Sequence, residues 1–272
     1  MPKPDAALRN FSAVIITGGS SGIGKSFIEL GSRMRPGLAF CNLSRRKPVI
    51  DIPELNLRHI PCDLSRPDQL NGALPEIQDF LTNQAPAGRI LLVNNSGFGI
   101  YGRFADTGID QQLEMVDVNV RAVLQLTGLL LPSIRARGGA IVTVASTAAF
   151  QPTPFLDTYG ATKAFVLHWS LGLNEELRGT GVRTLAVCPG PTSTEFFRRA
   201  GLGETTVPDP LGQTSEQVVI ESLRALAAGK AMVVSGWKNR LATQIVTKLP
   251  KPLVARLAAR VMARWRMSRV GS

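Results

Sequence analysis

Histidine and cysteine are scarce in this chain, with two of the first and three of the second among 272 residues. His59 and His168 lie far apart with no ligating neighbours in sequence, which argues against a metal centre or a histidine catalyst. Cys41, Cys62 and Cys188 form no close pair, and each lies in or beside an apolar run. That is the setting of buried free thiols, not of a disulfide framework or a metal site. Long hydrophobic runs are missing too: no segment approaches the ~18 consecutive apolar residues of a membrane span, and the opening MPKPDAALRN has no signal-peptide-like apolar stretch. The expectation is a soluble, cytoplasmic protein.

Uncompensated basic charge is concentrated in one place. Residues 238–272 carry nine Lys or Arg and no Asp or Glu, so the net charge of +11 belongs mostly to this tail, with 22 basic against 20 acidic residues elsewhere. An apolar content of 44% is enough for a full core in one large α/β domain.

What is present is a rhythm of short apolar runs: AVIIT (13–17), LAFCNL (38–43), LRHIPC (57–62), ILLVNN (90–95), AIVTVAS (140–146), RTLAVC (183–188) and AMVVSG (231–236). Stretches with helical spacing separate most of them, notably 111–134 and 158–177. Strands alternating with helices predict an α/β fold with one doubly wound parallel sheet of about seven strands, covered by helices on both faces. The Gly-, Pro- and Thr-rich stretch 191–217 follows a strand, where an irregular segment is placed to cover a ligand site.

The glycine-rich stretch AVIITGGSSGIGKSF (13–27) admits two readings. Gly19 to Ser26 fits the triphosphate-binding pattern G-x-x-x-x-G-K-[ST], whereas Thr17-Gly18 with Gly22-x-Gly24 is a turn for a dinucleotide pyrophosphate. Both use the N–H groups at a helix N-terminus. The triphosphate reading also needs a magnesium-binding acid ending an apolar strand, and ILLVNNSG ends in Asn94 and Asn95. For a dinucleotide, the position about 20 residues past the glycines reports on the ribose. There the chain has Ser44, Arg45 and Arg46, with no carboxylate to repel a 2′-phosphate and a guanidinium to bind it, so NADP(H) is expected over NAD(H).

Tyr159 and Lys163 are four apart in a helical segment and share one face. An ammonium beside a tyrosine, together with an oxidised nicotinamide, favours the phenolate and lowers a pKa near ~10 toward neutrality. Ser146, thirteen residues earlier, closes a strand at the sheet's carboxyl end.

TGGSSGIG (17–24), NNSG (94–97), VNV around Asn119, AST around Ser146, YGATK (159–163) and CPGPTST (188–194) occur in the order and spacing of the short-chain dehydrogenase/reductase family, and the resemblance covers about residues 12–236. It implies a single Rossmann-type domain over residues 1–237 that binds NADP(H) and reduces a carbonyl reversibly. Tyr159 would be the general acid or base, Lys163 would hold the nicotinamide ribose and lower the tyrosine pKa, Ser146 would bind the substrate oxygen, and Asn119 would hold a water linking Lys163 to solvent. Gly18, Ser20, Gly22, Ile23 and Gly24 would contact the pyrophosphate, Arg45 the 2′-phosphate, Asp63 and Leu64 the adenine, Asn95 and Gly97 the adenosine ribose region. Pro189, Gly190, Thr192 and Thr194 would fix the nicotinamide amide. NNSG stands here for the commoner NNAG, and the glycine loop lacks the extra basic residue that many NADP-preferring members carry before its second glycine, so that preference rests on Arg45, with Arg46 beside it. The family also implies a homodimer or homotetramer paired through helices 111–134 and 158–177.

Phe98, Phe150, Phe155, Leu156, Phe196 and Phe197 are candidates to line an apolar substrate site for a ketone, aldehyde or acyl chain; packing of a covering loop would account for them equally. In the tail, Leu253, Leu257, Val261 and Trp265 are spaced four apart, as are Arg256, Arg260 and Arg264, while Pro250 and Pro252 divide a short helix from a second one. Such a basic amphipathic extension over 238–272 fits docking onto the domain or a second subunit, or peripheral contact with an anionic membrane. Nucleic acid is not expected, because no DNA-reading motif is present and a single aromatic, Trp265, stands among the arginines. The competing class is a non-catalytic NADP(H)-binding protein recruited by this tail, against which an intact Ser146, Tyr159 and Lys163 argue.

Overall fold

The computed structural model describes residues 2–193, 200 and 212–270, the last seven of these and Ser193 by backbone alone. Seven parallel strands form one sheet: β1 Phe11–Thr17, β2 Ala39–Ser44, β3 Leu57–Pro61, β4 Arg89–Asn94, β5 Gly139–Val144, β6 Val182–Cys188 and β7 Met232–Val234. Their order is β3-β2-β1-β4-β5-β6-β7. The chain therefore steps outward from β1 in one direction, returns to β4, and continues in the other, which opens a crevice above the carboxyl ends of β1 and β4. This is the doubly wound Rossmann-type arrangement that the apolar runs predict.

Near-continuous apolar runs suit strands buried on both faces. Within β1, Ile15 points into one core with Ile77 and Phe80 of α2 (Pro67–Asn83) and Leu126, Leu130 and Ile134 of α4 (Ala122–Arg137). Its neighbours Val14 and Ile16 point the other way, against Phe27 of α1 (Gly22–Met34) and Val218 and Leu223 of α6 (Ser215–Ala227). Helix α5 (Asp157–Glu176) packs Val166 and Leu167 with Ala186 and Cys188 of β6 in a third cluster. Cys41, Cys62 and Cys188 are buried free thiols.

The structure refines several expected boundaries. The stretch 111–134 is part of a longer helical run in which α3 (Ile109–Val116) passes into α4 through a π-turn, Asp117–Arg121. This run is long and apolar enough to cross a membrane by composition, yet Leu126, Leu130 and Ile134 fix it in the core. Strand β5 ends at Val144, so Ser146 does not close a strand; it caps the short 3-10 helix Thr147–Phe150 instead. The covering segment ends earlier than residue 217, because Thr214 and Gln217 form a capping box that starts α6 at Ser215. Thr192–Ser193 pairs with Gln213–Thr214, and residues 194–199 and 201–211, with Thr194, Phe196 and Phe197, lie outside the described residues. In the tail, α7 (Trp237–Lys248) and α8 (Lys251–Val270) are separated at Leu249, extended before Pro250 as a pre-proline residue prefers.

Candidate active site

The loop after β1 is held mainly by backbone groups and short side chains. Thr17 Oγ1 accepts the N–H groups of Asn95 and Ser96, both at 3.0 Å, and Asn95 Nδ2 donates to Thr17 O at 2.9 Å and to Gly18 O at 3.4 Å. Gly18 N donates to Leu43 O at 2.9 Å and Gly19 N to Asn42 Oδ1 at 2.7 Å. Gly18 has φ of +72° and Gly22 of +56°, the left-handed region that favours glycine. A Cβ on Gly24 would run into Gly18 O and come within 2.6 Å of Asn95 Nδ2. Ser21, the N-cap of α1, makes no side-chain cap bond, so the first-turn N–H groups are left to a ligand or solvent; Ser20 and the half-buried Ile23 lie on the same turn. A narrow cradle closed to side chains and opening on a helix N-terminus fits a dinucleotide pyrophosphate.

At the end of β2, Asn42 Nδ2 reaches Ser44 Oγ at 2.8 Å and His59 Nδ1 at 3.0 Å, and Ser44 Oγ donates to Arg46 O at 2.7 Å. Arg45 is largely exposed and lies 3.7 Å from the Glu114 carboxylate. The two residues assigned to adenine divide: Leu64 is buried in the core with its carbonyl accepting from Arg121 at 3.0 Å, while Asp63 is partly exposed. Burial works to raise the Asp63 pKa, but the N–H and hydroxyl of Ser65, with Arg45 and Arg66 nearby, outweigh it and lower the pKa overall.

The chemical residues converge above the carboxyl ends of β4, β5 and β6. Lys163 is 4% exposed, its Nζ donating to Val144 O at 2.9 Å and lying 5.8 Å from the centroid of the Tyr159 ring. Burial pushes its pKa down to about 8, with the Cys188 thiol acting the other way. Tyr159 is pushed up to about 12 by burial, against which a hydrogen bond with Ser146 acts. Desolvation of the phenol is thus the largest effect on Tyr159, and it opposes the lowering expected from Lys163 together with an oxidised nicotinamide. Ser146 Oγ accepts from Ala148 N at 3.1 Å, and Thr147 N donates to Pro189 O at 2.8 Å, tying the turn after β5 to the end of β6.

Asn119 sits in the π-turn, 1% exposed. Its Oδ1 accepts from Phe98 N at 3.1 Å, and its Nδ2 donates to Phe98 O at 2.9 Å and Thr162 Oγ1 at 3.0 Å. The side chain braces the loop after β4 against α5. Gly97 lies at the crossing, where a Cβ would come within 2.9 Å of Lys163 Nζ. Gly190 is closed by Asn239 of α7, which a Cβ would strike, and Thr192 Oγ1 donates to Gly190 O at 2.9 Å.

Phe98, Phe150, Phe155 and Leu156 are half-buried on the outer side of this cluster. Phe155 has φ of +68°, rare for a bulky residue, in a turn closed by Leu156 N donating to Thr153 O at 2.9 Å and pinned by Gly102 N donating to Phe155 O at 3.0 Å. Its ring lies 6.1 Å from that of Tyr101, whose N–H donates at 3.0 Å to the carbonyl of Ala200, a buried residue of the covering segment. Asn42 and Tyr101 are site residues that sequence reasoning passes over. A polar side chain inside the apolar run LAFCNL is a signal for Asn42; Tyr101 has none.

A glycine cradle at the switch point, facing a half-buried Tyr159, a buried Lys163 and a serine, is the site of a doubly wound dinucleotide-binding protein. The short chain dehydrogenase family model matches residues 12–204, and the chain belongs to that family, whose members act between CH–OH and C=O groups. Over 193 residues it is 34% identical to the ketoacyl reductase HetN of Nostoc sp., covering 66% of this chain and 63% of HetN, so it spans less than two thirds of that relative. It is also 34% identical over 189 residues to the uncharacterized oxidoreductase YbbO of Escherichia coli, covering 68% of this chain and 67% of YbbO. Among solved structures, a short-chain dehydrogenase from Sphingobium yanoikuyae in complex with NADPH superimposes with a TM-score of 0.72 at 30% identity, covering 82% of this chain and 87% of that one.

Proposed function

We propose that this chain binds NADP(H) in the glycine cradle and reduces an apolar ketone or aldehyde to the alcohol, reversibly. The observation that carries the proposal is the cluster of Ser146, Tyr159 and Lys163 beside Asn119, set across the crevice from a loop with no room for a Cβ. When bound, the nicotinamide supplies or accepts the hydride. The chain's own residues handle the proton. Tyr159, its pKa raised, is protonated across neutral pH, as a donor to a carbonyl oxygen must be. Ser146 Oγ accepts from Ala148 N–H and hydrogen-bonds with Tyr159, which sets the two hydroxyls side by side, where one substrate oxygen would meet both. In the reverse direction Tyr159 must lose its proton, and the nearby Lys163 ammonium is the charge that favours this.

Preference for NADP(H) is supported by Arg45 and Arg46 after a strand that ends in Ser44 with no carboxylate. The NADPH bound to the Sphingobium relative supports the same choice. Half-buried Phe98, Phe150, Phe155 and Leu156 support an apolar carbonyl, and the ketoacyl reductase among the relatives suits an acyl chain. Exposed Ile109, Leu113 and Val116 on α3 with Phe165 on α5 support a homodimer or homotetramer through these helices. Three buried free thiols suit a reducing, cytoplasmic location.

The test begins with separate titrations of NADPH and NADH against the purified protein and its Arg45→Ala variant, followed by turnover of 3-oxoacyl and aromatic ketones with Tyr159→Phe. NADPH should bind far more tightly than NADH, lose that advantage in Arg45→Ala, and still bind Tyr159→Phe, which should not turn over. If neither nucleotide binds, the enzyme reading fails; if Tyr159→Phe keeps full turnover, the proton assignment fails.

A further inference from the structure

The tail helices sit on the domain by their small residues and turn their large ones outward. In α7 only Thr243 is buried, and in α8, as far as its side chains are described, only Val254, with Ala255, Ala258, Ala259 and Met262 half-buried beside it. Two bonds fasten α8 to the loops around the chemical cluster: Lys251 Nζ donates to Phe150 O at 3.0 Å, and Tyr101 Oη donates to Met262 O at 2.7 Å. Away from that contact, an apolar residue recurs every fourth position. Trp237, Leu241, Ile245, Leu249, Leu253, Leu257 and Val261 are 68%, 52%, 52%, 36%, 45%, 45% and 55% exposed. A step of four residues turns about 40° around a helix, so within each helix these side chains occupy one arc that winds slowly and stays clear of the domain. Single exposed apolar residues are ordinary, but a continuous series marks a docking surface.

Charge identifies the occupant. Residues 238–272 hold nine Lys or Arg and no acid, and Arg256 and Arg260 are exposed on an arc bordering Leu253 and Leu257. A second copy of this tail would be repelled, and the rest of the chain, with 22 basic and 20 acidic residues, offers no large excess of negative charge to attract it. An anionic lipid bilayer meets both halves of the pattern: apolar side chains enter the acyl boundary while arginines beside them reach the headgroups. We infer that α7 and α8 form a docking surface for an anionic membrane, fastened beside the mouth of the site. A carbonyl substrate dissolved in the bilayer would then enter without crossing water; this last step alone rests on the proposed reductase activity.

The full-length protein is tested by co-flotation with vesicles of phosphatidylcholine containing about one third phosphatidylglycerol, against phosphatidylcholine alone, at low salt and at about 0.5 M NaCl. Binding to the anionic vesicles should be at least about tenfold tighter than to the zwitterionic ones, and salt should weaken it. The variant Leu253→Gln/Leu257→Gln/Val261→Gln should lose at least about tenfold in vesicle affinity at low salt while keeping its thermal midpoint and NADPH affinity. If that variant unfolds, Leu241→Gln/Ile245→Gln repeats the test on α7. No flotation of the native chain overturns the inference. So does unchanged flotation of the folded variants, which would reduce the effect to charge alone, or their dissociation from a native oligomer without loss on vesicles, which would make the stripe a subunit contact. None of these readings depends on turnover.

Discussion

On the cofactor side of the crevice the chain is held by its backbone and by short side chains; on the substrate side, long side chains from distant segments do the holding. Around residues 17–24, Asn95 closes onto Thr17 and Gly18, and Asn42 onto Gly19, through bonds of 2.7 to 3.4 Å, and Gly24 has no space for one more carbon. Around Phe150 and Phe155, by contrast, the fixings are Tyr101 Oη on Met262 O, Lys251 Nζ on Phe150 O and a bulky residue held at positive φ. The difference follows from what each side must bind. A pyrophosphate is one shape with fixed charge, suited to main-chain N–H groups that hardly move. A carbonyl compound is selected by its body, and side chains on loops supply that selection. Changes on the first side should therefore act on every substrate alike, and changes on the second should act on some substrates and not others.

The largest effect lies where the two sides meet. Removing the phenol in Tyr159→Phe should lower kcat about 10²- to 10⁴-fold with NADPH affinity nearly unchanged, measured by steady-state turnover beside fluorescence titration. Its pH dependence has a definite sign. With Tyr159 raised by burial and Lys163 lowered to about 8, both carry their protons over about pH 6–7.5, so reduction should stay flat there, whereas alcohol oxidation, which needs the ionised phenol, should climb with pH until the Lys163 ammonium is lost. A fall in oxidation between about pH 6 and 7.5 would show that another group controls the proton. Next comes Gly24→Ala, in which the new methyl meets Gly18 O and Asn95 Nδ2. Overpacking costs about 1–3 kcal/mol, which corresponds to about 5- to 150-fold in the NADPH dissociation constant. An unchanged constant would mean that the loop yields as easily as the substrate side, and the contrast would be lost.

Smaller effects test the other half. Tyr101→Phe removes one hydrogen bond of about 0.5–1.5 kcal/mol, about 2- to 12-fold in an equilibrium. It should raise KM for large apolar ketones by several-fold, leave small ones unaffected, and not touch NADPH binding. An equal change for all substrates would place Tyr101 with the cofactor machinery.

The two sides also differ in how far the sequence reveals them. All seven strands are legible as apolar runs, and the glycine loop as a motif, because a backbone cradle must be written into consecutive residues. Ser146, Tyr159 and Lys163 are legible for the same reason, since two of them share a helix turn. What local sequence hides is set by tertiary contact. Leu64 belongs to the core because α2 and α4 close over it, Asn119 is tied to Phe98 and Thr162, and desolvation raises Tyr159 where charge alone predicts lowering. The partners Tyr101 and Met262 stand 161 residues apart and Lys251 and Phe150 stand 101 apart, so no spacing rule joins them.

Arg45 is the point at which the cofactor side departs from its own rule, because it is a long, exposed side chain and not a backbone group. It leans toward Glu114 of α3 at 3.7 Å, and both side chains are well exposed, so the attraction is weak and screened. A 2′-phosphate held by Arg45, as proposed, would compete with that carboxylate for the guanidinium while also being repelled by it. Glu114→Gln removes both effects and keeps the size of the side chain. An exposed pair is worth about 0.2–1 kcal/mol, so NADPH should bind about 1.5- to 5-fold more tightly at low salt, with NADH unchanged and the gain fading as salt rises. The double variant with Arg45→Ala should show no gain from the glutamine beyond the loss of a general negative charge. If NADH tightens equally, Glu114 acts on the whole crevice and Arg45 is not its target; if only NADPH responds, the 2′-phosphate site rests on a side-chain pair that residues 17–24 do not encode.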